Sequence, residues 1–399
     1  MFGVKHSECR QIPLISGSSH SSSASTRRAP NHYLVNRASL SAAKLALAAL
    51  TVIMISVACA SYQAPQIKGI EAWINSEPLT IKELRGKVVL IDFWTYTCVN
   101  CIRTFPYLRE WNARYADDGL VIIGIHSPEF EFEKDYSNVL QATKDHGITW
   151  PVAQDNDFKT WRNYGNRFWP AKYLIDKDGI IRYFHAGEGA YDETEKRIRD
   201  LLVEAGANLS DSPYEAFGEQ PMDPAFTEAS RASMTRELYA GFVLAELREY
   251  VRQSDFFRNL GSVVELKAPE DLKPGVIYFD GQWVALPEHT RHGRNTTGYE
   301  DVLSLVYSAR SVNAVLTSDS GEPYTVRIML NGEFLTEENK GRDITISANG
   351  ESFLAVNEPR MYNVIEAQGY AEDNKLTMSS NSDDFGIFAF TFGVYETGP

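Results

Sequence analysis

Apolar residues follow two alternating patterns in the first part of the chain, over residues 61–205. Val88–Trp94 and Leu120–Ile125 are short and almost continuously apolar, which is typical of buried strands. Elsewhere apolar residues recur every three or four positions, which indicates helices buried on one face. The predicted elements are, in order, a strand Val88–Trp94, a helix from near Cys98 to Gly119, a strand Leu120–Ile125, a helix Tyr136–His146, a hairpin of strands Ala171–Asp176 and Ile180–Phe184, and a helix with Ile198, Leu201, Leu202 and Ala205 on one face. This βαβαββα order predicts an α/β domain.

The pattern changes in the second part of the chain. A helical segment, Glu237–Arg252, is followed by short alternating segments such as Tyr324–Leu330, which ends at the turn Asn331-Gly332. Phe385–Tyr395 predicts a long buried strand. Several short strands separated by turn residues predict an all-β, jelly-roll-like sandwich over residues 235–399. Residues 206–234 are rich in proline, serine and acidic side chains and lack periodicity, so they are predicted to be a linker.

Residues 1–60 have the pattern of a secretory leader rather than of a folded domain. The strongly apolar run 45–60 follows Arg37 and Lys44 and ends in Ala58-Cys59-Ala60, which has the small residues of a cleavage site. Three fates stay open: cleavage after Ala60, a lipoprotein acylated on Cys59, and an uncleaved anchor. All three predict a body outside the cytoplasm, in the periplasm or cell envelope, and the first two predict a secreted or a lipid-anchored protein.

Length and charge narrow the possible functions. A chain of 399 residues is long enough for two domains in addition to the leader. The net charge is −14, and because residues 1–60 carry +5, the remainder carries −19. Since binding to nucleic acid depends on lysine and arginine neutralising phosphate, so acidic a body excludes nucleic acid as a partner.

Chemistry concentrates in Ile91–Pro106, IDFWTYTCVNCIRTFP, where two cysteines lie three positions apart at a strand-to-helix junction. The first sulfur there lies beside unpaired N–H groups of the helix N-terminus, which favour the thiolate, so Cys98 is the predicted nucleophile. Cys101, about one helical turn on, is placed to resolve a mixed disulfide. Asp92 is a carboxylate within an apolar strand, and a buried acid there is predicted to take the proton from Cys101.

These residues resemble the thioredoxin superfamily. Asp92–Trp94 precedes the first cysteine at that family's spacing, Pro106 follows the second, and Trp169-Pro170 resembles its cis-proline loop. The resemblance implies a thioredoxin-like fold with a central mixed sheet flanked by helices. It also implies that Pro170 faces the two sulfurs and that the backbone of Trp169 pairs with a substrate peptide. Trp94 is predicted to contact the substrate. The alternative is that its ring packs beneath the cysteines.

A narrower resemblance is to the extracytoplasmic DipZ-type branch of TlpA-like proteins. It rests on five segments, Leu84–Leu108, His126–Lys134, Trp161–Asp176, Glu237–Gly241 and Phe388–Gly393. The last two segments resemble the carbohydrate-binding-module-like domain of that branch. The resemblance implies an exported thiol-disulfide oxidoreductase that acts on protein disulfides as a reductant, without a cofactor. Many such proteins carry a multi-helix membrane domain that delivers electrons. None is evident in this sequence, so we expect a separate membrane protein as the electron donor.

Other interpretations of the cysteine pair are weaker. A zinc site needs further cysteine or histidine ligands at suitable spacing, and a structural disulfide closing so short a loop would stabilise little. A peroxide-reducing site is suggested by Thr95, three residues before Cys98, but Ile91 stands where that class has a proline.

Outside the cysteine pair, the alternative to an enzyme is a non-catalytic surface protein that binds glycans through the sandwich. Trp283 is the only tryptophan in that half, and a docking or spacer role is equally open. His126 and His185 are expected to be structural. Glu129, in the segment after the strand Leu120–Ile125, is expected at a solvated surface position, with a position facing the cysteine pair as the alternative.

Overall fold

The computed structural model describes residues 62–210, 214 and 218–396. These residues belong to one compact unit with two sheets. The predicted leader lies outside the described residues. Within the described part of the chain, no helix combines the length and the apolar character needed to cross a membrane.

The first sheet has six strands and is mixed, as the resemblance implies. Its order is β1-β4-β3-β2-β5-β6, in which β2, β3 and β4 run parallel and the other neighbouring pairs are antiparallel. The strands are β1 Ala72–Ile74, β2 Val88–Trp94, β3 Leu120–His126, β4 Val152–Gln154, β5 Ala171–Ile175 and β6 Ile181–Ala186. Every residue of β2 is buried, which explains why its sequence is apolar at every position but Asp92.

Among the described residues, four α-helices accompany this sheet. They are α1 Val99–Tyr115, α2 Tyr136–Asp145, α3 Lys159–Asn163 and α4 Tyr191–Glu204, with a 3₁₀ turn Glu131–Lys134 before α2. The predicted helix from Cys98 to Gly119 therefore ends four residues early, and a turn leads into β3. The sequence analysis did not predict the short elements β1, β4 and α3.

Alternation along β2 divides its side chains between two cores. One set packs with α1 and α4, whereas the other packs on the opposite face of the sheet. The first set is Val88, Leu90 and Trp94, and the second is Val89, Ile91 and Phe93. By the same alternation Asp92 lies on the α1 face, towards the cysteine-bearing end of that helix.

The second sheet has 11 strands within the described residues, and its named strands pair only antiparallel. Its path is β14-β15-β12-β16-β11-β17-β10-β9-β8, with β13 beside β12 and β7 beside β17. The strands are β7 Leu238–Tyr239, β8 Val263–Leu266, β9 Ile277–Ala285, β10 Thr290–His292, β11 Val302–Thr317, β12 Tyr324–Leu330, β13 Glu333–Phe334, β14 Ile344–Ile346, β15 Ser352–Val356, β16 Arg360–Ser380 and β17 Gly386–Gly393. Their inward side chains form one hydrophobic cluster, as an all-β domain requires.

The predicted helix Glu237–Arg252 is wrong over its first part. Leu238 and Tyr239 form β7 and pair with β17, and helix α5, Phe242–Arg248, begins only after Gly241. It ends at Glu249, whose φ of 56° is incompatible with a continuing right-handed helix. Pairing with the terminal strand thus outweighs the local helical periodicity. Two 3₁₀ turns, Ala229–Ala232 and Ser254–Phe257, flank this region.

A shared apolar cluster joins the two sheets directly beside the cysteines. Val99, between Cys98 and Cys101, and Phe130 pack with residues of the second sheet in this cluster. The second-sheet members are Val315, Met361, Phe388 and Ala389. The β domain therefore buries one side of the first turn of α1.

Candidate functional site

The two cysteines lie at the junction of β2 and α1. Cys98 is the N-cap of the helix, and its Sγ accepts a hydrogen bond from the backbone N–H of Cys101 at 3.3 Å. Both thiols are free; Cys98 is half-buried and Cys101 is fully buried. Because its sulfur lies at the N-terminus of a 17-residue helix and opens into a cleft, the geometry favours Cys98 as the attacking group.

Cys101 is held as a thiol behind Cys98. Burial raises the pKa of the Cys101 thiol well above its usual range, and the adjacent Cys98 side chain raises it further. The charge of Asp92, on the same face of the sheet as α1, acts in the same direction. Cys101 therefore needs a base before it can attack.

Asp92 lies in the interior of β2 and is only 1% exposed. Burial raises the pKa of its carboxyl to about 7, although the charge of Lys172 opposes part of the rise. Lys172 is its direct partner across the β2–β5 pair and is also fully buried. Within the described residues, neither Asp92 Oδ1 nor Lys172 Nζ has a hydrogen-bond partner. The structure thus places a titrating carboxyl and a buried amine on the Cys101 side of the sheet.

The predicted loop Trp169-Pro170 has a cis peptide bond. Trp169 lines the same cleft as Cys98, and its indole N–H donates to the carbonyl of Ser127 at 3.0 Å. Its ring also packs on Trp161, with ring centroids 4.4 Å apart. The loop before β5 is therefore fixed beside the nucleophile.

Cys98 opens into a cleft of about 540 Å³. One side comes from the first domain and includes Arg103, Glu129, Trp169 and Glu188. The opposite side consists of residues between 222 and 237 and of the last strand of the second sheet with the residues after it. The cleft is therefore formed by both domains and the segment between them.

Two family models match the chain, Redoxin over residues 60–202 and a "Thioredoxin like C-terminal domain" over residues 235–393. The thiol-disulfide oxidoreductase YkuV of Bacillus subtilis is 33% identical over 141 residues, which are 35% of this chain and 94% of YkuV. The chain belongs to the thioredoxin superfamily.

The similarity of this thioredoxin-superfamily protein to Protein DipZ of Mycobacterium tuberculosis also covers the second domain. The two are 32% identical over 333 residues, which are 83% of this chain and 43% of DipZ. The chain thus spans less than half the length of that relative. A solved structure entitled "Solution Structure of a Thioredoxin-like Protein in the Oxidized Form" shares 32% identity, covering 36% of this chain and 97% of that one with a TM-score of 0.34.

Trp94 does not fit the predicted substrate-binding role in this superfamily member. Its side chain is fully buried and its ring packs edge-on against Phe105 and His126. A Cβ on Gly124 would approach the Trp94 indole nitrogen to 2.7 Å, so the neighbouring strand fits closely against the ring. The alternative, packing beneath the cysteines, is the role that the structure supports.

Glu129 is a candidate site residue that the sequence analysis placed wrongly. It lines the Cys98 cleft, and its carboxyl accepts a hydrogen bond of 2.5 Å from the hydroxyl of Tyr239 in β7. Burial raises the pKa of Glu129, and the nearby acids Glu237 and Glu133 raise it further. Tyr239 lies 110 residues away in sequence, so no local pattern could show that it covers Glu129.

Glu133 positions the loop that precedes the cysteines. Its fully buried carboxylate accepts hydrogen bonds from the Thr97 hydroxyl at 2.6 Å and from the Thr97 backbone N–H at 3.3 Å. It also accepts from the backbone N–H groups of Glu129 and Phe130. One side chain therefore ties the residue before Cys98 to the cleft segment that carries Glu129.

The remaining candidates occupy structural positions. His126 is fully buried and burial lowers its pKa to about 3, so it is neutral. His185 contacts the carbonyl of Glu188 at 3.0 Å through its Nε2. Trp283 is 1% exposed, so its ring is not available to stack on a sugar. In the described part of the chain, no group of three His, Cys, Asp or Glu side chains has an arrangement that would hold a metal ion.

Proposed function

We propose that this chain is an exported thiol-disulfide oxidoreductase that exchanges disulfides with protein substrates through Cys98 and Cys101, acting as a reductant. The observation that carries the proposal is the arrangement of the pair. Cys98 lies at the N-cap of α1 in an open cleft, and the Cys101 backbone N–H is 3.3 Å from its sulfur.

The exchange takes two steps. In the first, the Cys98 thiolate attacks one sulfur of a substrate disulfide; the substrate S–S bond breaks, a Cys98–substrate disulfide forms, and the other substrate sulfur leaves as a thiolate. In the second, Cys101 attacks the Cys98 sulfur and the remaining substrate sulfur leaves. The substrate disulfide has then gained two electrons, and the two cysteines are joined as a disulfide.

Asp92 has the properties required of the base in the second step. Its pKa of about 7 means that a substantial fraction is ionised near neutral pH and able to accept the Cys101 proton. Both groups are buried, so bulk water does not compete directly for the proton. The charge on Lys172 keeps the carboxyl from titrating at a still higher pH.

The location and direction of the reaction belong to the same proposal. The apolar run 45–60 with Ala58-Cys59-Ala60 supports export to the periplasm or cell envelope. The names of the relatives support disulfide exchange. Repeated reduction of substrates would require an electron donor that reduces the Cys98–Cys101 disulfide.

Single cysteine variants in an insulin-reduction assay test the proposal. Cys98→Ser is expected to abolish turbidity, because the attacking sulfur is lost. Cys101→Ala should accumulate a covalent Cys98–insulin adduct that is visible on a non-reducing gel. Cys9→Ser is the matched control, since it makes the same exchange in the predicted leader, and it should remain active. Full activity in Cys98→Ser would overturn the proposed function.

A further inference from the structure

Residues 206–234 were predicted to be a linker, and the structure gives part of this segment a position in the cleft. We propose that residues 222–237, with the end of the second sheet, form a substrate-binding wall opposite Cys98 that takes an extended, apolar polypeptide segment carrying the disulfide. This inference rests on the proposed function and adds the class of substrate.

The wall is attached to the second sheet at its beginning. The backbone N–H of Asp223 donates to the carbonyl of Val394 at 2.8 Å, and the N–H of Glu396 donates to the carbonyl of Pro221 at 2.9 Å. The buried Asp223 carboxylate also lies 3.3 Å from Arg310 Nε. These contacts extend strand-like pairing beyond β17, so this part of the segment is fixed rather than loose.

The wall is attached again at its other end. The N–H of Thr235 donates to the carbonyl of Ser308 in β11 at 3.0 Å, and the N–H of Ser308 donates to the Thr235 hydroxyl at 2.8 Å. The segment between Asp223 and Thr235 is therefore held on one sheet at both ends. A surface fixed in this way adds affinity for a ligand because little ordering is needed on binding.

The wall presents apolar side chains interspersed with charged ones. Met222, Phe226, Met234 and Phe392 line the cleft together with Arg231, Arg236 and Glu237, and Met222 is 42% exposed although it is apolar. The apolar positions offer contact to apolar side chains of a polypeptide. Methionine is unbranched and polarisable, so such surfaces adapt to different apolar side chains. The wall therefore offers contact to many sequences and selects none in particular.

The position of Cys98 favours an extended segment over a disulfide on a flat folded surface. Cys98 is half-buried and faces the wall across a cleft of about 540 Å³, which lies within the range of about 300–1,000 Å³ typical of ligand pockets. A broad protein surface would meet the wall before its disulfide reached Cys98. A small disulfide would reach the sulfur but would leave most of the wall without contacts.

A comparison of two disulfides under single-turnover conditions tests the inference. The probes are oxidised glutathione and the glutathione mixed disulfide of an unstructured, apolar peptide with one cysteine, each mixed with the reduced full-length protein. The wild-type rate constant should be higher for the peptide. Met222→Ser and Met234→Ser should each lower the peptide rate relative to the glutathione rate by about fivefold, because each removes apolar contact area.

Met329→Ser is the matched control, since Met329 is a half-buried methionine of the second sheet that does not line the cleft. It should leave the ratio of the two rates unchanged. The inference is overturned if the wall variants leave the ratio unchanged, or if they lower both rates equally. If the wild type reacts with neither disulfide, the proposed function itself fails, so the two failures are distinguishable.

Discussion

The Asp92→Asn variant should be more stable than the wild type in alkaline solution and about equally stable in mild acid. The folded protein holds the Asp92 proton up to a pKa of about 7, whereas the ordinary pKa of an aspartate is 3.8. Between those two values the folded state binds more protons than the unfolded state, so wild-type stability falls as the pH rises through this window. Because asparagine has no carboxyl proton to lose, the free energy of unfolding of the variant does not fall in this way.

The magnitude follows from the size of the shift. A rise from 3.8 to about 7 is worth about 4 kcal/mol at about 1.4 kcal/mol for each pKa unit. This figure is an upper bound, because asparagine leaves the buried Lys172 ammonium without its opposing charge. The expected gain at about pH 8.5 is therefore between roughly 1 and 4 kcal/mol, and it should shrink towards zero at about pH 4.

Urea unfolding of the reduced protein at both pH values measures the effect, with Asp117→Asn as the matched control at an exposed position. A gain of the same size at both pH values, or an equal gain in Asp117→Asn, would refute the reasoning. So would a variant less stable than the wild type in alkaline solution. The Asp92→Asn variant should also resolve mixed disulfides more slowly, because Cys101 loses its internal base.

Two further substitutions test neighbouring parts of the account. Lys172→Met should raise the pKa of Asp92, because the charge of Lys172 lowers that pKa. The pH midpoint of the step in which Cys101 attacks should therefore move upward in stopped-flow measurements. A downward shift of the midpoint would contradict this role of Lys172. Tyr239→Phe removes the hydroxyl that donates to Glu129 and should cost roughly 1–3 kcal/mol in urea unfolding. Tyr299→Phe, which changes a tyrosine outside the cleft, should cost less, and equal losses would count against the Glu129 contact.

The central strands and the strand-to-helix position of the cysteines followed directly from the sequence. β2 occupies the predicted Val88–Trp94 because a strand buried on both faces must be apolar at almost every position. Within that run the one charged residue, Asp92, was therefore identifiable as a buried group. β4, Val152–Gln154, was missed because three residues are too few to establish a pattern.

The parts that sequence did not predict depend on contacts between distant segments. Glu129 looked like a surface residue because Tyr239, which covers it, comes from the other domain. The predicted helix begins at Glu237, but Leu238 and Tyr239 form a strand instead because they pair with β17. Residues 206–234 were predicted to be an irregular linker, and only the attachment to the second sheet at Asp223 and Thr235 shows that residues 222–237 form a wall of the cleft.

The redox equilibrium of the cysteine pair tests the central claim most directly. The full-length protein is equilibrated in glutathione buffers of increasing potential, its free thiols are alkylated, and the products are weighed by mass spectrometry. We expect one two-electron transition that joins Cys98 to Cys101 within a single chain, near the reducing end of the range of roughly −270 to −120 mV. Two thiols that stay reduced across the whole range, or disulfides that form only between chains, would contradict the account.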